Sequence, residues 1–326
     1  MPGLISEERA RWLRDLPART ALKAFNQRHV REWLGQRHAA AVDRHAARLP
    51  ATDEVARGIV HALNRNGVCV TTLDALGLDT AGTPAGADVV ALASDLSQAF
   101  AEEARALARG GQQFIIVPPE QIVRNPAIFE WGLQDRLLDI AESYIGLPVA
   151  YDGVAINYTV ADGREISTRK WHRDWEDRRM LKVAVYVHDV DAQGGPFEAI
   201  ARHDTVQSDR EGYSYELADD AELARRLGAD FADDVVSCVG KRGTVVFCDT
   251  ARFFHRGKPA TARDRAALFY SYFASPPRHP FLCERTGVER ADAVRMSSVL
   301  PPRQRRAANW RRHISPMLRL IPPASL

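Results

Sequence analysis

The chain has 326 residues, enough for one large domain or two small ones, with 45% hydrophobic and 26% charged residues, the ordinary balance of a globular protein. Forty-four Lys and Arg against 42 Asp and Glu leave a net charge of +2, which predicts no general attraction to nucleic acid or membrane surfaces. Four widely spaced cysteines (Cys69, Cys238, Cys248 and Cys283) include no CxxC pair, which argues against a zinc knuckle or disulfide scaffold and suits a reducing, cytoplasmic setting. Residues 1–16 lack the apolar core of a secretion signal, and no uncharged apolar run approaches the ~18 residues of a membrane span.

Residues 6–48 read as helix: Trp12, Leu13, Leu16, Leu22, Phe25, Val30, Trp33 and Leu34 recur at roughly helical spacing, with a break expected near Pro17. A second helix is predicted from Thr52 to Asn64, ending in an Asn66-Gly67 cap pattern, and Val68–Thr72 then reads as a short strand. A small-residue loop over 79–87 precedes a helix that runs to Arg109 and stops at Gly110-Gly111. Phe114–Val117 is predicted as a strand and Ile128–Ile145 as a helix. Beyond them the pattern changes to short strands at Val154–Val160, Leu181–Val187, Gly243–Phe247 and Ala267–Phe273. Helices first and many short strands later predict a sheet-based barrel with helices packed outside it.

Three charged stretches stand out. Residues 1–50 carry ten Lys/Arg against five Asp/Glu, read as a solvated helix face. His203–Asp234 carries ten Asp/Glu against three Lys/Arg, with a helix predicted over Asp219–Leu227. It is either a solvated acidic surface or a lid that favours a cationic or polyhydroxylated substrate. Residues 301–326 hold six arginines and no acid, and either pack across the barrel or bind anions.

The chemistry concentrates in His172-Arg173-Asp174. In an extended segment, residues i and i+2 point to one face, so His172 and Asp174 can face one ion while Arg173 turns away. A third ligand must come from elsewhere; His255 comes after the strand-like GTVVF and its turn, which suits delivery to a barrel mouth. Two imidazoles and one carboxylate occupy one face of an octahedral metal and leave the other open, the ligand set of non-haem Fe(II) enzymes. Arg265 stands ten residues past His255, placed to clamp a carboxylate. Around these, Asn157 and Tyr158 either face the barrel interior or are ordinary strand residues. Lys182, sharing a strand face with Ala184, Tyr186 and His188, either reaches a carboxylate or substrate or lies on the outer face. Trp171 and Trp175 either wall the pocket or belong to the core. Glu176 and Asp177 either meet a polar substrate at the rim or form a solvated turn.

The order of these motifs resembles the phytanoyl-CoA dioxygenase-like family of Fe(II)/2-oxoglutarate oxygenases over about residues 150–275. Trp171-His172-Arg173-Asp174 looks like the family's HxD, and Leu181–Val187 with Asp189-Val190 like the strand after it. Gly194-Gly-Pro-Phe-Glu198 leading to Ala201-Arg-His203 is similar to its "NGP…PGSH" segment, with Ala-Arg-His where the family has Pro-Gly-Ser-His. Gly243–Phe247 through His255-Arg-Gly257 to Arg265 resembles the distal histidine and arginine. The resemblance implies a double-stranded β-helix (jelly-roll, cupin-like) core over 111–285, with 1–110 as mainly helical support packed outside. The stretch 203–234 becomes an insertion and 286–326 a basic extension, all in one domain over 1–326. It implies Fe(II) held by His172, Asp174 and His255, 2-oxoglutarate held by Arg265 and touched by Asn157 and Tyr158, and O₂ as oxidant. Lys182, Trp171, Trp175 and Glu176 would surround the substrate.

The expected activity is oxidation of a C–H bond of a small polar molecule, in natural-product metabolism, by hydroxylation, desaturation or oxidative cyclisation. Asp174 favours these over halogenation, because related halogenases carry a small residue in place of the carboxylate. A jelly-roll protein binding metal or sugar without redox chemistry is the alternative, against which Arg265 argues; nothing in the ligand set suggests a dead homologue. The absence of an aromatic-basic stripe near the motif argues against nucleic acid as substrate. Monomer and homodimer are equally compatible with the sequence.

Overall fold

A computed structural model describes residues 7–203, 212 and 214–324. The chain begins with helices α1 (Glu7–Phe25) and α2 (Arg28–His45). Pro17 does not break α1, contrary to expectation. A proline inside a helix removes one N–H but its fixed φ is helical, and here the helix tolerates it. The chain turns instead at Gln27, whose backbone is extended (φ −62°, ψ 133°). Helix α3 (Glu54–Asn66) starts where Asp53 accepts a hydrogen bond from Ala56 N. It buries Ala56, Ile59 and Leu63 along one stripe and ends at Gly67 in the left-handed region (φ +72°). A side chain at Gly67 would also strike the Phe253 ring, at 2.2 Å from Cδ2, so both backbone and packing require glycine there.

Strand β1 (Val68–Thr72) comes next, then α4 (Leu73–Leu76) and α5 (Val89–Arg109), whose first N–H groups are capped by Asp88. The strand expected over Phe114–Val117 is only a single bridge, Ile116 to Asn157, with backbone bonds on either side (Val117 N to Ile156 O, Tyr158 N to Ile115 O; both 2.9 Å). Four apolar residues suffice for an edge contact but Pro118 and Pro119 end the segment. Helix α6 (Pro119–Arg124) lies beyond them. The single helix expected over 128–145 is two, α7 (Pro126–Trp131) and α8 (Asp135–Ile145). They part at Gly132, whose carbonyl accepts from Tyr272 Oη (2.7 Å) and whose α-carbon lies against Tyr270 and Tyr151.

The remaining strands are β2 (Val149–Thr159), β3 (Leu181–Tyr186), β4 (Phe197–Ile200), β5 (Val235–Cys238), β6 (Thr244–Asp249), β7 (His255–Gly257) and β8 (Arg265–Ala274). They form two antiparallel sheets, one in the order β1-β6-β3-β8-β2 and one in the order β5-β4-β7. Strands β4, β5 and β7 are not expected from the sequence: at three or four residues each they are too brief for alternation to show.

Alternation along the larger sheet decides what packs where. Val183, Val185, Val245, Phe247, Leu268, Tyr270 and Tyr272 face a helical layer that includes residues of α3, α5 and α8. The opposite face, with Ala184, Tyr186, Val246, Cys248 and Ala267, meets Phe197, Ala199 and Cys238 of the smaller sheet. Each fully buried Phe or Leu in these layers contributes on the order of 2 kcal/mol. Helices α10 (Arg290–Met296), α11 (Pro302–Ala308) and α12 (Pro316–Arg319) complete the chain, α11 lying against β2. Trp310 and Ile314 pack on Ala150 and Phe273, so the basic tail is anchored by its apolar residues. Among the described residues no helix is long and apolar enough to cross a membrane.

Part of the acidic stretch, 204–211 and 213, lies outside the described residues. Its described part contains α9 (Asp220–Leu227), capped by Asp219 at Glu222 N (2.8 Å), with Leu223 and Phe231 buried against Trp171, Ile200 and Phe254. Several of its charges are paired within the segment, Arg225 and Arg226 with Glu222 and Arg226 with Glu216.

Candidate metal centre and its cavity

The segment from Trp171 to Asp174 is extended and stitched to three different partners. Trp171 exchanges backbone bonds with Ala218 (2.8 Å each), His172 with His255 (3.0 Å each), and Asp174 N donates to Thr250 O (2.8 Å). Alternation then acts as expected: His172 and Asp174 point to one side, while the Arg173 guanidinium lies over the Phe254 ring, 4.6 Å from its centroid. The backbone bridge between His172 and His255 brings the distal histidine to the same spot from 83 residues away, with ring centroids 4.2 Å apart. One ligand atom each from His172, Asp174 and His255 fall within 4.8 Å of one another. The three residues are 3–4% exposed.

Both imidazoles are oriented by their other nitrogen. His172 Nδ1 lies 2.8 Å from Lys170 O and His255 Nδ1 3.3 Å from Phe253 O, which leaves Nε2 free to face inward as a lone pair. The Phe197 ring stacks on His255 (centroids 5.6 Å, 18°) and restricts its rotation. Burial lowers the pKa of His172, and that of His255 further, helped by its neighbour, so both are neutral and able to donate to a cation. Burial alone would raise Asp174; the Lys182 ammonium outweighs it and holds the carboxyl well below the usual range. Lys182 Nζ stands 2.7 Å from Asp174 Oδ2. Lys182 therefore lies on the inner face of β3 and reaches a carboxylate.

These groups open into a cavity of about 650 Å³. At one end Arg265, 4% exposed at the start of β8, donates to Gly195 O and to Thr159 Oγ1 (3.0 Å). Its Nε is buried with no partner, and no carboxylate pairs with it among the described residues. A Cβ at Gly257 would come within 2.9 Å of the guanidinium, so the glycine after His255-Arg256 makes room for it. Asn157 also lines the cavity and its Oδ1 is buried without a partner. Tyr158 contributes to the rim but its ring lies on the helix-facing side, edge-on to Phe100, with Oη donating to Asp264 (2.9 Å). Adjacent strand residues cannot both point inward, and Asn157 holds the inner place.

The flanking aromatics do not wall the cavity. Trp171 is fully buried, donates Nε1 to Asp220 (2.6 Å) and carries Arg256 on its face, 4.2 Å from the ring centroid. Trp175 packs with Phe281, Leu282 and Ala18. Glu176 does line the cavity, 2% exposed, with Oε1 3.2 Å from Arg285 Nε, and burial raises its pKa. Asp177 is no rim residue: it is 1% exposed and accepts from the backbone N–H of Arg178 (2.8 Å), Ala274 (2.9 Å) and Arg278 (3.1 Å). Burial pushes its carboxyl up to about 6.

Sequence reasoning did not find Tyr215, Arg169 or Arg285, which also line the cavity. Tyr215 sits 5.7 Å from the His172 ring and 5.6 Å from Trp175, between centroids. No motif marks them: Tyr215 and Arg285 lie in irregular segments and Arg169 ends a one-turn helix. Phe197 was within reach of the sequence, because it comes directly after Gly194-Gly195-Pro196, a run that marks a turn.

No protein-family model matches the chain, and no curated protein does. Solved structures do resemble it. EctD from S. alaskensis, solved with 2-oxoglutarate and 5-hydroxyectoine, is 21% identical over 71% of this chain and 81% of its own, with a TM-score of 0.44. SnoN, a non-haem alpha-ketoglutarate-dependent epimerase from nogalamycin biosynthesis, is 13% identical over 68% and 83%, with a TM-score of 0.40. AviO1 from Streptomyces viridochromogenes Tue57 is 16% identical over 68% and 96%, with a TM-score of 0.39.

Proposed function

We propose that this chain is an Fe(II)- and 2-oxoglutarate-dependent oxygenase that oxidises a C–H bond of a small polar molecule, in natural-product metabolism. One observation carries the reading: a buried His-Asp-His triad and a buried arginine with no carboxylate partner open into the same cavity. The donor set fits iron, since two neutral imidazoles and a carboxylate cap one face of an octahedron and leave three positions for co-substrate and O₂. The cavity end fits a dicarboxylate, because a desolvated guanidinium with an unused Nε–H is costly until an anion meets it. A plain metal- or sugar-binding jelly roll gives no use for Arg265.

On this reading the two facing sheets are the core of a double-stranded β-helix within a single domain over 1–326. His172, Asp174 and His255 hold the metal, and Arg265 grips the distal carboxylate of 2-oxoglutarate, with Asn157 beside it. Bound iron and 2-oxoglutarate together supply the oxidising power, through decarboxylation of the keto acid. Lys182 fixes the Asp174 carboxylate, and Phe197 and the backbone carbonyls of Lys170 and Phe253 fix the imidazoles. With Asp174 in place, hydroxylation, desaturation or ring closure is favoured over halogenation. The test is succinate release by purified protein given Fe(II), ascorbate and 2-oxoglutarate. Wild type should release succinate and His172→Ala should not; equal background release by both would refute the proposal.

A further inference from the structure

We infer that the substrate carries a carboxylate, and that Arg285 receives it at the end of the cavity away from Arg265. The inference rests on the oxygenase reading, which assigns the Arg265 end to 2-oxoglutarate and leaves the other to substrate.

Each carboxylate of the cavity wall already has a donor within the protein. Asp174 has Lys182, and Glu176 has Arg285 Nε and the Trp175 N–H. Asp152 takes the Glu284 N–H with both oxygens (3.0 and 2.9 Å). Glu284 is gripped by Arg290 Nε and Nη2 (2.6 and 2.7 Å) and approached by Arg311 (3.2 Å). The spare capacity is on the donor side. Arg285 spends Nε on Leu282 O (3.0 Å) and Glu176, while its two terminal nitrogens have no partner among the described residues. Its side chain is 37% exposed and lines the same cavity as the metal triad. A planar fork with both outer N–H pairs free matches a carboxylate.

The backbone is built to hold Arg285 there. Two non-glycine residues among those described have positive φ, Ser167 (+49°) and Glu284 (+68°), and both line this cavity. A left-handed non-glycine costs on the order of 1–2 kcal/mol and persists only where its surroundings enforce it. At Glu284 they do: Asp152 holds its N–H, and Arg290 and Arg311 hold its side chain. The next residue is Arg285, so the strained turn sets the direction in which that guanidinium leaves the chain. Leu282 O and Glu176 then hold Nε.

The experiment uses full-length protein saturated with 2-oxoglutarate, so that the Arg265 end is filled. Matched probes are titrated calorimetrically: benzoate against benzamide, N-acetylproline against its amide, and L-lysine against lysinamide. At least one acid should bind wild type about tenfold or more tightly than its amide, and Arg285→Gln should remove that preference. Arg285→Lys, which keeps charge and loses the fork, should fall between them. Circular dichroism and the affinity for 2-oxoglutarate alone check that the variants are folded and that Arg285 does not serve the co-substrate. No acid preference in wild type, an unchanged preference in Arg285→Gln, or a loss of 2-oxoglutarate affinity as large as in Arg265→Gln would each overturn the inference. Succinate release is scored separately. Acid preference without it leaves the anion site standing and removes the oxygenase reading; release without acid preference does the reverse.

Discussion

Replacing Lys182 by Met leaves Asp174 buried beside two neutral imidazoles with no cation. At 2.7 Å the pair is worth about 6 kcal/mol gross at an effective dielectric of ~20. Lys182 is 23% exposed and regains some solvation when unpaired, and removing one partner of a buried pair typically costs about 3–5 kcal/mol. Protonation sets a ceiling. A carboxyl with an unfolded pKa near 3.9 can be neutralised at pH 7 for about 4 kcal/mol, so the loss is about 3–4 kcal/mol. With an unfolding entropy of about 0.7 kcal/mol/K for 326 residues, the metal-free variant should melt about 4–6 °C below wild type. The dependence on pH has a definite sign. In wild type Asp174 is depressed in the fold, so its stabilisation is intact at pH 7 and at pH 5 and disappears only as pH falls through the folded pKa; in the variant the uncompensated carboxyl is protonated instead, at a cost that falls with pH. At pH 5 the same ceiling is about 1.5 kcal/mol, and the deficit should shrink to about 2 °C. A divalent cation replaces the missing charge and should raise the variant's melting temperature more than wild type's. Differential scanning calorimetry with and without metal, at both pH values, reads all three. A metal-free deficit under about 1 °C at pH 7, or one independent of pH, would show that Lys182 does not compensate Asp174.

Arg265→Gln should weaken 2-oxoglutarate binding on the order of a hundredfold, and Arg265→Lys by about tenfold, since lysine keeps the charge and loses the planar fork; titration calorimetry on metal-loaded protein measures both. Asp152→Asn should gain on wild type as pH rises. Burial lifts Asp152 to about 8, so the folded state resists ionisation and wild type loses stability from about pH 4 upward, a loss the amide avoids; urea midpoints at pH 5 and pH 8.5 compare them. Gly132→Ala places a Cβ 2.4 Å from Tyr270 and 2.6 Å from Tyr151 Oη, so it should cost about 2–3 kcal/mol by denaturant melt although the backbone there is helical (φ −66°).

Where local chemistry decides, the sequence was enough. Alternation in an extended segment put His172 and Asp174 on one face and Arg173 on the other, and the cap residues Asn66-Gly67 and Gly110 ended their helices where they stand. His255, to which a strand, GTVVF, and the turn CDTARFF could be read leading, lies with His172 and Asp174 in the fold. What depended on distant partners was not legible. The split at Gly132 comes from Tyr151, Tyr270 and Tyr272 on another layer, and Pro17 was judged by a local rule that this helix tolerates. Tyr158 and Asp177 looked like site residues by proximity in sequence, yet Tyr158 turns its ring outward because Asn157 turns inward, and Asp177 is consumed by three backbone donors. Arg285 lay beyond any motif. Its place depends on a positive-φ turn at Glu284 enforced by Asp152, 132 residues earlier. Sequence spacing determined which side chains share a face; only the folded chain, by burying charges and fixing their partners, decided which of them remain free to bind.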